Sequence, residues 1–113
     1  MKSPITTHVL DLSTGIPAEG ISIELQIQNG NLFEKLSNGT TNSDGRIANL
    51  LEPGSLKAGT YKMIFETKNY FEKHNLEVFY PYAEIVFNIV NLNTHYHIPL
   101  LLSPYGYSTY KGS

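Results

Sequence analysis

The chain contains no cysteine, which excludes a disulfide framework and any Cys-ligated zinc or iron–sulfur site. Arginine is nearly absent: Arg46 stands alone beside seven lysines scattered over 113 residues, and no basic block forms. Phosphate-backbone binding needs clustered Lys and Arg, so nucleic acid is not an expected partner. The formal charge of −2 and pI near 6.0 agree. Long hydrophobic runs are missing too; the apolar stretches fall well short of the ~20 residues a membrane-crossing helix requires. The opening MKSPITTHVLD lacks the apolar core of a secretory signal, and the chain does not close on Ser-Lys-Leu. These absences lead us to expect a soluble, cytoplasmic protein with no membrane partner, a mature periplasmic form staying open. No G-x-S-x-G elbow, P-loop or dinucleotide fingerprint is found.

What is present is alternation. In GISIELQI, Ile21, Ile23, Leu25 and Ile27 alternate with Ser22, Glu24 and Gln26, the pattern of a half-buried strand. Tyr61, Met63 and Phe65 share a side of TYKMIFET, and Ile85, Phe87 and Ile89 share a side of AEIVFNIV. Turn signals punctuate these runs: Thr14-Gly15, Asn29-Gly30, Asn38-Gly39, Asp44-Gly45, Pro53-Gly54, Ala58-Gly59 and Ser103-Pro104. One segment, Thr67 to Asn75, predicts a short helix of two turns anchored by Tyr70 and Phe71. Many short strands between regular turns predict an all-β antiparallel sandwich, and the length suits one domain over 1–113.

The alternation also assigns faces near the two ends of the chain. In HYHIPLLL, Tyr96, Ile98, Leu100 and Leu102 share one side, and His95, His97, Pro99 and Leu101 the other. In ITTHVLDL, Ile5, Thr7 and Val9 oppose Thr6, His8, Leu10 and Leu12. With Ile98, Leu100 and Leu102 in the core, His97 points outward beside Pro99 and Leu101. An outer face this apolar is expected to be covered by another subunit.

Candidates for chemistry are few. Of the four histidines, His74 lies in a charged helical stretch and is given no role. His95 and His97 share a strand face and His8 could add a third ligand. No carboxylate stands at a metal spacing, however, so a metal-free use of imidazole is preferred. Arg46 follows the turn Ser43-Asp44-Gly45; it is either an ordinary exposed charge or a planar fork of donors for an anionic or carbonyl-rich ligand. Asp11 and Glu24 read as outward surface carboxylates. The end, Tyr110-Lys111-Gly112-Ser113, is either a frayed tail or an ordered terminus that brings a hydroxyl, an ammonium and a carboxylate together.

The stretches ITTHVLDLSTGIPAEGISIEL, SDGRI and HYHIPLLLSPYGYSTYKGS, in this order, resemble the 5-hydroxyisourate hydrolases, transthyretin-like enzymes of urate breakdown. The resemblance runs from Ile5 to Ser113. It implies an eight-stranded sandwich of two four-stranded sheets with one short helix, assembled as a homotetramer, a dimer of dimers. A channel between dimers would be lined by the outer sheet face. It implies hydrolysis of 5-hydroxyisourate to 2-oxo-4-hydroxy-4-carboxy-5-ureidoimidazoline without metal or cofactor. His8, Arg46, His97 and Ser113 would be the catalytic groups, Tyr110 and Lys111 would bind substrate, and His95 would have a lesser role. At Lys111 the family usually has Arg, which exchanges a bidentate fork for a point donor. Transthyretin, a hormone carrier, has the same fold; the His8, Arg46, His97 set and the YKGS end resemble the hydrolases instead.

Overall fold

The computed structural model describes residues 3–112. The chain forms β1 (Ile5–Asp11), β2 (Ile16–Pro17), β3 (Ser22–Asn29), β4 (Leu32–Thr40), β5 (Gly59–Phe65), α1 (Thr67–Lys73), β6 (Ala83–Ile89), β7 (Tyr96–Ser103) and β8 (Gly106–Thr109). Two four-stranded sheets result, ordered β2-β1-β7-β8 and β4-β3-β5-β6. The inward residues of the alternating runs meet between them: Ile5 and Val9 of β1 and Leu100 of β7 face Leu25, Met63 and Phe65 of the other sheet, all of them fully buried. Each such side chain contributes about 1.5–3 kcal/mol by leaving water. Helix α1 buries Thr67, Tyr70 and Phe71, one stripe at i, i+3 and i+4. It ends where Asn75 takes a left-handed φ of 59°, with Leu76 N–H donating to the Phe71 carbonyl and Asn75 N–H to that of Glu72.

Among the described residues every ladder is antiparallel except one. β1 and β7 run parallel, in the register Thr6↔His97, Thr7↔Ile98 and His8↔Pro99. A parallel pair needs a long crossover, and here the whole second sheet and α1 lie between the two strands in sequence. The inward Thr7 is buried and its hydroxyl donates to the Ile98 carbonyl at 2.6 Å, tying the two strands side by side.

Three expectations change. Asn38-Gly39 lies inside β4, opposite Glu24 and Ile23, and the glycine serves packing rather than a turn, since the Ile47 side chain occupies the space a Cβ on Gly39 would need. Pro99, expected on an outer face that another subunit covers, is already buried within the single chain. Asp11, expected outward, is 1% exposed. Its Oδ2 accepts from the Tyr70 hydroxyl at 2.6 Å and its Oδ1 from the backbone N–H and hydroxyl of Ser13. Period-two alternation places Asp11 on the inner face with Val9, and α1 brings the donor that makes a carboxylate tolerable there.

Burial pushes the Asp11 carboxyl upward, but the hydrogen bonds from Ser13 and Tyr70 outweigh it and hold the pKa below its usual value. A depressed carboxylate contributes stability that is fully present above its unfolded pKa and lost as the pH falls through the lower folded value. Tyr70→Phe is therefore expected to cost about 1–3 kcal/mol near neutral pH, by loss of a hydrogen bond to a charged group. Thermal melts should show the gap from wild type narrowing as the pH drops below the ordinary carboxylate range.

Candidate active site

The site is built on the outer face of β1 and β7. Because the two strands run parallel and in register, Thr6 and His8 of β1 and His97 and Pro99 of β7 project from one face. Thr6 and His97 are direct neighbours: Thr6 Oγ1 lies 2.8 Å from His97 Nδ1 and 2.6 Å from His95 Nε2. One hydroxyl thus joins two imidazoles whose planes stand at 89°. With Nδ1 engaged, Nε2 is the His97 nitrogen left for chemistry.

Arg46 reaches the same face from the loop after β4. Asn42 organises that loop, its Oδ1 accepting from the N–H groups of Asp44 at 2.9 Å and Arg46 at 3.1 Å. Gly45 has a left-handed φ of 72°, and a Cβ there would fall on the Val9 carbonyl oxygen, so the turn accepts only glycine. The Val9 N–H donates to the Gly45 carbonyl at 2.9 Å, and His8 pairs with Arg46 in an antiparallel bridge. The buried Thr41 anchors the loop's start, accepting from Ile21 N–H and donating to the Ala18 carbonyl. In the single chain the Arg46 side chain is exposed, while His8 and His97 are half-buried.

Near its end the chain returns to His97. β8 pairs with β7 in the register Leu100↔Thr109, and the bridge His97↔Gly112 keeps that same register. The ladder lapses between them because Tyr110 falls opposite Pro99, which has no N–H to give; the Pro99 carbonyl instead accepts from the Thr109 hydroxyl at 2.7 Å. At Gly112 pairing resumes, its N–H donating to the His97 carbonyl at 2.9 Å. A Cβ on Gly112 would sit 2.6 Å from His97 Cδ2, so only a glycine lets the terminal segment lie against the imidazole.

The structure therefore brings His8, Arg46 and His97 together. Tyr110 and Lys111 join only His97 of these three, lining with it, Tyr96, Phe87 and Val90 a largely apolar cleft of about 320 Å³. Tyr110 is mostly exposed, and the Lys111 ammonium sits 5.4 Å from the centre of the Tyr96 ring. Ser113 falls outside the described residues. Thr6 and Asn42 were not singled out from sequence, and Gly112 only as part of the terminal stretch; their signal is register and close approach, which appear only after folding. Among the described residues no group of three or more His, Asp or Glu is placed to hold a metal ion, so His8, His95 and His97 do not form such a cluster.

Burial, and then the positive field of Arg46, lowers the pKa of both His8 and His97. His95 and His8 add to the effect on His97, whereas the backbone and carboxylate of Asp44 oppose it at His8. Neutral imidazoles beside a fixed guanidinium supply a base and a stabiliser of developing negative charge on one surface.

A two-sheet sandwich with such a set on one outer strand pair is a frame for binding or hydrolysing a small polar molecule. The sequence profile of the HIUase/Transthyretin family matches residues 5–112, and the chain belongs to that family. It is 45% identical to the 5-hydroxyisourate hydrolase of Mus musculus over 113 residues, 98% of this chain and 96% of the mouse protein. The crystal structure of Sparus aurata transthyretin superposes with a TM-score of 0.93 at 29% identity, covering 98% of this chain and 97% of that one. The Klebsiella pneumoniae 5-hydroxyisourate hydrolase structure gives 0.84 at 39% identity, covering 96% and 98%.

The electrostatics make a direct prediction. The His97 titration followed by NMR should have its midpoint below 6.5, and Arg46→Met should raise it. The value should stay under 6.5 in the variant, because burial is the larger cause and survives the substitution.

Proposed function

We propose that this protein hydrolyses 5-hydroxyisourate in urate degradation, yielding 2-oxo-4-hydroxy-4-carboxy-5-ureidoimidazoline. The observation that carries this reading is the convergence of His8, Arg46 and His97 on one strand face. In the proposed reaction His97 Nε2 takes a proton from water, and the hydroxide so formed attacks the C6 carbonyl of the N1–C6 amide. The carbonyl oxygen gains negative charge, which Arg46 stabilises. The C6–N1 bond then breaks, N1 takes up a proton delivered through His8, and C6 becomes a carboxylate. Ser113 orients the water, and Tyr110 shapes the pocket. Lys111, whose ammonium lies 5.4 Å from the centre of the Tyr96 ring, binds substrate as a point cation rather than with the two-pronged grip of arginine.

The same reading includes a homotetramer, a dimer of dimers whose channel covers this face. Support comes from Leu12, which is 53% exposed and continues the outer face of β1. An exposed Arg46 would act more strongly once neighbouring subunits exclude water from it. The carrier alternative draws on the higher TM-score to transthyretin. Fold likeness is weak ground for function, and a carrier would have no use for neutral imidazoles beside a guanidinium.

The test generates 5-hydroxyisourate in situ from urate and follows its ultraviolet decay with and without protein. Catalysed decay is expected, and His97→Asn should lower turnover by about 10²–10⁴-fold with the assembly intact. Decay at the spontaneous rate in the presence of an intact tetramer would favour the carrier. Gly112→Ala drives a methyl group into the His97 ring, and turnover is expected to fall on the order of 10- to 100-fold with the melting temperature little changed. Undiminished turnover in that variant would show that the terminal segment has no part in placing His97.

A further inference from the structure

His95 is exposed and lies outside the catalytic set, yet its Nε2 is 2.6 Å from the hydroxyl that holds His97. A hydroxyl carries one proton and accepts on its lone pairs. When Thr6 donates to one ring, the other ring must donate to Thr6. Two neutral rings then have opposite senses at their facing nitrogens. With His97 Nδ1–H donating to Thr6 and Thr6 donating to His95 Nε2, His97 Nε2 carries a lone pair and is a base. With both bonds reversed, His97 Nε2 carries a hydrogen and is an acid.

We propose that Thr6 is a proton relay that couples His95 to His97 and resets the tautomer of the base during turnover. The inference rests on the reading of His97 as the group that activates water. When His97 Nε2 takes the water proton, the ring becomes a cation facing Arg46 and His8 from the β1 side and His95 along its own strand. The Nδ1 proton passes to Thr6 Oγ1 as the hydroxyl's own proton passes to His95 Nε2. His97 is left neutral with a hydrogen on Nε2, and His95 holds the positive charge in contact with water. No proton is created or lost: one has moved from water to His95, through two hydrogen bonds of 2.8 and 2.6 Å. As His97 Nε2 hands its hydrogen on through His8 to the leaving N1, the His95 proton returns through Thr6 to His97 Nδ1, and the base is restored. His95 and Thr6 are positioning and relay residues; neither is required to touch substrate.

The relay is tested on the full-length assembly. Thr6→Val keeps the shape and removes the hydroxyl; turnover should fall about tenfold or more with KM little changed, and Thr6→Ser should recover most of it. His95→Gln can still hydrogen-bond to Thr6 but cannot take a proton, and its loss should match that of Thr6→Val. The double variant should be no worse than either single one, because both interrupt one path. Independently of activity, ¹⁵N–¹H correlation spectra of wild type at a pH where both rings are neutral should find one proton shared between His95 Nε2 and His97 Nδ1. Two bare or two protonated facing nitrogens overturn the proposal, as does Thr6→Val with undiminished turnover in an active background, or strictly additive losses in the double variant. Inactive wild-type protein overturns instead the hydrolase reading beneath it, and a fully active His97→Asn variant the reading of His97 as the group that activates water.

Discussion

The parallel ladder between β1 and β7 is the constraint on which the site depends. A strand's side chains alternate faces, so a slip of one residue in this register would send Thr6 and His8 inward and bring Ile5, Thr7 and Val9 out. The register is held from the core side, where Ile5, Val9, Ile98 and Leu100 are buried and the Thr7 hydroxyl closes on the Ile98 carbonyl. The energy that fixes the geometry of the outer face thus comes from the inner one. A polar site on a half-exposed sheet face can be placed accurately because the opposite face tolerates no other alignment.

On that frame two segments arrive by close backbone approach. The loop carrying Arg46 passes so near β1 that Gly45 has no room for a side chain, and the terminal segment comes so near His97 that Gly112 has none. Both approaches are secured by backbone hydrogen bonds to the strand they meet. Pro99 shapes the second approach: by withholding an N–H from Tyr110 it ends β8 and frees the chain for two residues before pairing resumes at Gly112. The result is a cation and two half-buried imidazoles whose mutual repulsion, added to burial, keeps the imidazoles neutral. That protonation state is what acid–base chemistry near neutral pH requires.

The fold itself is shared by proteins that do different things, and the comparisons divide accordingly. The backbone lies nearer to a transthyretin, while the sequence is nearer to hydrolases. The difference is informative because the sandwich core constrains the backbone whatever the outer face carries. A carrier and an enzyme can therefore share a sandwich and differ only in which side chains the β1–β7 face presents. The two histidines and the arginine on this face are what direct the reading toward hydrolysis.

Much of this was legible from the amino acids alone. Alternation located β1, β3, β5, β6 and β7 and their buried sides, the Thr67–Asn75 stretch located α1, and the order of the motifs pointed to His8, Arg46 and His97. Local spacing suffices for the strands and the helix, since each depends on residues a few positions apart, whereas the three site residues were named by the resemblance to the hydrolases. Three things needed the tertiary structure. Asp11 belongs to the core only because Tyr70, 59 residues further along, reaches it with a hydroxyl. Thr6 meets His95 and His97 only because strands from the two ends of the chain lie parallel in one register. Gly112 is confined only because the last segment returns to His97. Period and composition report what a residue prefers within its own segment; which residue from the far end of the chain stands beside it is settled by packing the two sheets together.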